Sequence, residues 1–341
     1  MNDKKSNAPL IDTLHSRRAS AATLLLAALV CATTATAQTA WKPERNVEIM
    51  VPSAAGGGFD RTGRTIQKVA QARKLLEVTS SIMNKTGGGG AIGWAYLNQF
   101  AGDAHHIGLC SPTLLTNQIT GSNSIAYTDF TPIAQLVNEY LAFAVRPDSP
   151  LKSGRDLLER MAAAPGSLSI AIGTAPGGPN HIGVALVAKA ARADVRKQKI
   201  VFFKTGSDSL AALLGGHVDV MATTPGNLAQ PLESKQVRIL AIAAPRRQVG
   251  DFAAVPIWKD FGVDGVFANW RCVIGPRGLT KTQVTYWEEV LSRVVGSEEW
   301  KNEIEENAWD PNFMKSEASR KFFESEFAVA RRTLTELGLA K

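Results

Sequence analysis

The residues of this chain that could do chemistry sit in glycine-rich turns. Pro52-Ser53-Ala54-Ala55-Gly56-Gly57-Gly58-Phe59-Asp60 follows an apolar run at 47–51, and Asn84-Lys85-Thr86-Gly87-Gly88-Gly89-Gly90 follows a second at 78–83. A third run, 107–110, opens into Ser111-Pro112-Thr113. Further on come Gly173-Thr174-Ala175-Pro176-Gly177-Gly178-Pro179-Asn180-His181, Lys204-Thr205-Gly206-Ser207 and Thr223-Thr224-Pro225-Gly226-Asn227. Each turn leads from a strand-like run into a helix-like stretch. A helix start presents unpaired N–H groups and a partial positive charge. Glycine lets a ligand come close to the backbone. The guest such turns favour is a small anion. Any one of them also reads as an ordinary βα turn. Six of the same character, at comparable places, argue for a site.

Other chemistries find little support. Gly88-x-Gly90-x-x-Gly93 fits a dinucleotide fingerprint, but it lies in a run of glycines and no acidic residue closes a second strand about twenty positions on. There is no P-loop, no G-x-S-x-G elbow, no H-E-x-x-H and no C-x-x-C. No cofactor and no metal is expected. Of the histidines, only His181 lies in a candidate loop; His105, His106 and His217 do not. Arg271 precedes the apolar run 272–274, and its planar guanidinium suits a carboxylate. An Arg paired with a nearby acid is the alternative reading.

Strand-like runs at 47–51, 78–83, 107–110, 141–145, 168–172, 200–203, 218–221, 239–243 and 272–274 position these turns. Helical patterns lie at 61–73, 91–100, 151–163, 181–192, 209–214, 227–233, 281–295 and 316–337. This alternation predicts an α/β fold with mainly parallel sheets, whose ligands bind beyond the carboxyl ends of the strands.

The N-terminus reads as an export signal. Lys4, Lys5, Arg17 and Arg18 precede an uncharged stretch at 19–32, and Ala35-Thr36-Ala37 closes it. Cleavage after Ala37 would leave an exported mature protein starting at Gln38; Arg17-Arg18 leaves a twin-arginine route open. The 341 residues are 45% hydrophobic and 20% charged, a globular composition of about two domains' length. The net charge of +7 becomes +5 without the leader, from 34 basic and 29 acidic residues, and it is diffuse. No nucleic-acid partner and no membrane span is expected. Cys110 and Cys272, the cysteines left in the mature chain, are read equally well as a disulfide or as two buried thiols.

The turns also carry a family likeness. Pro52 through Asp60 and on to Arg64 resembles the P-x-x-x-G-G-x-x-D-x-x-x-R opening of the tripartite tricarboxylate transporter substrate-binding receptors, the Bug or TctC family. Thr86–Gly93, Gly173–His181, Leu210–Val220 and Arg238–Arg247 are similar to its later motifs in order, and Asn269-Trp270-Arg271 is closest to its tricarboxylate branch. The resemblance covers 41–341. It implies a two-lobed periplasmic-binding-protein fold of type II, with lobe 1 from 38–138 and 243–341 and lobe 2 from 139–242. It implies a monomeric receptor, not an enzyme, that captures a small organic carboxylate, with citrate as first choice, and delivers it to membrane permease subunits. Carried over residue by residue, it places ligand contacts at Gly57, Gly58, Phe59, Asp60, Gly88, Gly89 and Thr113 on one lobe. On the other it places them at Thr174, Gly177, His181, Thr205, Gly206 and Thr224; Arg271 joins them as a candidate. A periplasmic sensing subunit is the alternative, and a secreted hydrolase or isomerase a more distant one.

Overall fold

The computed structural model describes residue 1, residues 41–56 and residues 58–341. Residues 2–37 of the expected leader and its cleavage point lie outside the described residues, as does Gly57. An apolar strand buried on both faces belongs in the middle of a sheet. β1 (Val47–Val51) is such a strand, parallel to β2 (Ser80–Asn84) on one side and to β3 (His106–Cys110) on the other. β10 (Arg271–Pro276) runs antiparallel to β3 and to β4 (Phe130–Asn138), and β11 (Asp310–Lys315) closes the edge against β4. The order is β11-β4-β10-β3-β1-β2.

The second sheet holds β5 (Ala142–Val145), β6 (Ser169–Ile172), β7 (Lys199–Phe202), β8 (Val220–Thr223) and β9 (Arg238–Ile242), ordered β7-β6-β8-β5-β9. The fold is two-lobed α/β, but its sheets are mixed rather than mainly parallel. Consecutive strand–helix–strand units are parallel, namely β1 to β3 and β6 to β8. The strands that carry the chain between sheets, β4, β5, β9 and β10, enter from the far side and so pair antiparallel.

The helices that open toward the strand ends start at encoded caps. α1 (Gly58–Ala72) buries Ile66, Val69 and Ala70 on one face, the spacing of an amphipathic helix. After α2 (Ala91–Leu97), α3 (Pro112–Ile119) is capped by Ser111, which accepts from the Thr113 N–H, with Pro112 at its first position. α4 (Gly154–Ala163) begins with a Ser153–Asp156 capping box. α5 (Pro179–Ala190) again has proline first, and α6 (Gly206–Leu214) is capped by Thr205. The short α7 (Ala229–Glu233) follows. α8 (Lys281–Val295), α9 (Glu298–Asn307) and α10 (Ser316–Glu336) complete the chain.

One core gathers Val47, Ile49, Ile66, Trp287 and Trp300 on the six-stranded sheet; separate cores gather Phe143, Val187 and Trp258, and Leu213, Ile239 and Ile257, on the five-stranded sheet. Phe252, Val255, Ile257 and Trp258 thus pack with the five-stranded sheet, beyond β9. The chain crosses between sheets at two adjacent points. There Glu139 and Asn269 exchange backbone hydrogen bonds, Glu139 N–H to Asn269 O at 3.3 Å and Asn269 N–H to Glu139 O at 2.7 Å. α10 spans both halves: Phe323 stacks on Trp270 at 5.1 Å, while Leu334 packs with Ile182 and Phe267.

Cys110 and Cys272 stand directly opposite each other in β3 and β10, with Cα atoms 5.0 Å apart, and form a disulfide. Register, not sequence spacing, brings them together.

Candidate functional site

The turns that leave β1, β2, β3, β6, β7 and β8 all face one cleft of about 1030 Å³. Their shapes follow from their residues. Gly87, Gly88, Gly89 and Gly90 all have positive φ, between 57° and 132°, a run that residues with a Cβ would strain to adopt. Asn117 of α3 pins this loop by donating to the Gly88 and Gly89 carbonyls at 3.2 Å each. On the other lobe, the β6 turn lies flush against the β7 turn: a Cβ on Gly173 would come within 2.6 Å of the Gly206 nitrogen. Asn227 donates to the Thr223 hydroxyl at 2.9 Å and abuts Gly206. At one end the lobes touch, where Thr120 faces Gly177.

Most of the residues singled out in the sequence line this cleft. Gly58, Phe59, Gly88, Gly89 and Thr113 do so from one lobe, and Thr174, Gly177, Thr205, Gly206 and Thr224 from the other, with Arg271 between them. Asp60 and His181 do not. Asp60 is buried behind its loop, where it accepts from the Gly56 N–H at 2.9 Å, Arg64 Nε at 2.8 Å and Asn84 Nδ2 at 3.0 Å. Burial opposes its charge, but these hydrogen bonds outweigh burial and hold its pKa below the ordinary carboxylate value. Asp60 therefore shapes the first loop. His181 likewise shapes the third: its Nδ1 accepts the Gly177 N–H at 3.0 Å, and its ring meets the edge of Phe202. That bond requires neutral Nδ1, and burial lowers the His181 pKa accordingly.

Arg271 is the most constrained lining residue. It forms a buried ion pair with Glu139 at 2.5 Å, and its guanidinium lies 4.8 Å from the centroid of the Phe59 ring. Glu139 also accepts from Trp309 Nε1 at 2.9 Å. The acid-paired reading of Arg271 is thus the one the structure adopts, at the wall of the cleft rather than on the outer surface. Sequence reasoning missed Glu139, Asn117, Asn307, Trp309 and Arg61, all of which line the cleft. A signal existed for Glu139 alone, an acid just before the apolar run 141–145. Trp309 comes from 170 positions away and gave none.

The arrangement presents N–H and hydroxyl donors that can hold a small anion. Among the described residues, no cluster of His, Cys, Asp or Glu could hold a metal ion. None of their helices is long and apolar enough to cross a membrane.

A family model described as the tripartite tricarboxylate transporter family receptor, TctC, matches residues 64–339. The chain belongs to this family. A Cupriavidus necator protein described as the UPF0065 protein in the gbd 5′ region is 25% identical over 300 residues, covering 88% of this chain and 89% of that one. Among solved structures, an R. palustris protein with adipate superimposes with a TM-score of 0.76 at 23% identity, over 87% of this chain and 99% of that one. The periplasmic binding protein BugD gives 0.73 at 22%, over 88% and 99%. MatC of Rhodopseudomonas palustris, with bound malate, gives 0.66 at 22%, over 87% and 97%. These likenesses show that this TctC-family chain has the two-lobed fold of periplasmic binding proteins.

Proposed function

We propose that this TctC-family protein is a periplasmic receptor that closes its two lobes on a small organic carboxylate and delivers it to a membrane permease, without turnover. The observation that carries this reading is the convergence of six N–H- and hydroxyl-rich turns from both lobes on one cleft. Such groups stabilise a carboxylate through helix-start donors and charge-assisted hydrogen bonds. The adipate and malate of two structural neighbours are ligands of the same chemistry. Export with removal of residues 1–37 and a monomeric state complete the proposal.

We place lobe 1 at 38–138 and from about 270 onward, with lobe 2 between. The packing of Phe252, Ile257 and Trp258 with the five-stranded sheet supports moving the second boundary beyond 243. Citrate rested on Asn269-Trp270-Arg271. Trp270 is fully buried and Arg271 is neutralised by Glu139, so these residues offer no place for a third carboxylate. Mono- and dicarboxylates are therefore favoured over citrate.

A thermal-shift panel of adipate, malate, succinate, citrate and nicotinate tests the reading. A ligand at ~100 times its Kd should stabilise the fold by ~2.7 kcal/mol, a rise of roughly 5 °C for a chain of this size. A panel in which no carboxylate moves the midpoint contradicts the proposal.

A further inference from the structure

The charge balance of the cleft is uneven. Among the described residues, four charged side chains line it: Arg61, Glu139, Lys204 and Arg271. Glu139 and Arg271 are spent on each other. Arg61 is held by a neutral partner, the side chain of the buried Asn307, which in turn donates to the Glu303 carbonyl at 2.8 Å and to the Glu303 carboxylate at 3.2 Å. Lys204 forms no ion pair within the described residues, where the cleft's one ion pair is Glu139–Arg271.

The two remaining cations line the cleft from opposite lobes, and a short run of neighbours links their positions. Arg61 touches Asn307; a Cβ on Gly226 would lie 3.4 Å from Asn307 Oδ1; and a Cβ on Gly206 would lie 2.7 Å from Asn227 Nδ2. Gly206 is two residues past Lys204. The opposite end, around Gly88, Asn117 and Thr120, carries amide and hydroxyl groups and no charge.

We infer that Arg61 and Lys204 together form the charge-selecting end of the site, where one carboxylate of the ligand is held between the two lobes. This rests on the receptor reading above and adds residues to it. Two like charges that line one cleft repel each other until an anion enters between them. The anchored carboxylate relieves that repulsion and joins the lobes, while the rest of the ligand extends toward the neutral end. Arg61 supplies direction, because Asn307 fixes its planar guanidinium, and Lys204 supplies a mobile point charge.

The test is titration calorimetry with adipate and malate as probes, on wild type, Arg61→Gln, Lys204→Gln, the double variant and a remote control, Lys301→Gln. Both anchoring side chains are exposed, so their variants should keep the wild-type melting midpoint. Each single variant should bind about tenfold or more weakly, the loss of one charge-assisted contact. Because both cations share one carboxylate, the double variant should lose less than the product of the two single losses. Lys301→Gln should bind as wild type does. Wild-type binding with no loss in either single variant, or losses that multiply in full, overturns the shared anchor and leaves the receptor reading intact. A wild type that binds neither probe, nor any other carboxylate in the panel, overturns both.

Discussion

Replacing Glu139 with glutamine separates the two roles that the Glu139–Arg271 pair combines. The substitution keeps the shape of the side chain and an acceptor for Trp309 Nε1, and removes the charge. Arg271 would retain its bonds to Asn269 Oδ1 at 3.2 Å and the Trp270 carbonyl at 3.4 Å, but no acid. The two side chains are 7% and 9% exposed, so solvent screens the pair little. Breaking a buried pair on one side costs about 3 kcal/mol, because the surviving charge stays desolvated. For a chain of this length that is a fall in melting midpoint of about 6 °C. The same change frees a positive charge at the cleft wall, so anion affinity should rise as stability falls, most of all for citrate. Calorimetric unfolding of ligand-free Glu139→Gln, with titrations of adipate and citrate, reads both effects. The double variant Glu139→Leu/Arg271→Met should recover most of the lost stability. A Glu139→Gln midpoint within 1 °C of wild type, or a weakened citrate affinity, would refute the view that these charges neutralise each other.

Three further outcomes follow from the geometry. His181 is held neutral in the fold while its unfolded counterpart titrates near 6.5, so the unfolded state gains a proton first as pH falls. The melting midpoint should therefore drop as pH falls below about 6.5, and His181→Gln, which keeps an acceptor for Gly177, should flatten that slope; equal slopes would show that other groups cause it. Reducing the Cys110–Cys272 disulfide, which closes a separation of 162 residues, should cost about 2–5 kcal/mol in guanidinium unfolding, whereas a Cys110→Ser/Cys272→Ser protein should not respond to reductant. Gly173→Ala must push against the Thr205–Gly206 backbone at 2.6 Å, so it should lose about 1–3 kcal/mol of stability and weaken carboxylate binding; an unaltered titration would show that the flush packing of these turns is not needed.

Much of this architecture is legible in the sequence because its signals are local. β1 is read at 47–51, where it lies, since an apolar run ended by Pro52 and glycines has few other uses. The glycine turns are legible for the same reason, and the positive φ values at Gly87–Gly90 explain the residue choice. β4 is not legible: Pro132 and Gln135 break its apolar pattern, and only tertiary contacts rescue them. The Gln135 backbone N–H donates to the Ser319 hydroxyl oxygen, and its side-chain amide donates to the Val137 carbonyl. β11, with the sequence DPNFMK, is an edge strand held by β4 alone, so nothing in its residues announces it. Asp60 and His181 are read as ligand contacts within their motifs, and in the structure each hydrogen-bonds its own loop instead of lining the cleft. A motif shows that a side chain matters to a loop, but not whether it faces the ligand or supports the backbone that does. The cleft's charge balance is set by Arg61, Glu139 and Asn307, which are distant in sequence, and it becomes visible only once the chain is folded.

The most direct test of the central claim is a crystal structure of the protein grown with a carboxylate that raises its melting midpoint. The account predicts one ligand in the cleft between the lobes, its carboxylate oxygens within hydrogen-bond distance of N–H or hydroxyl groups of the turns at 86–90, 173–178 and 204–207. A ligand bound elsewhere on the surface, with these turns making no contact to it, would contradict the account.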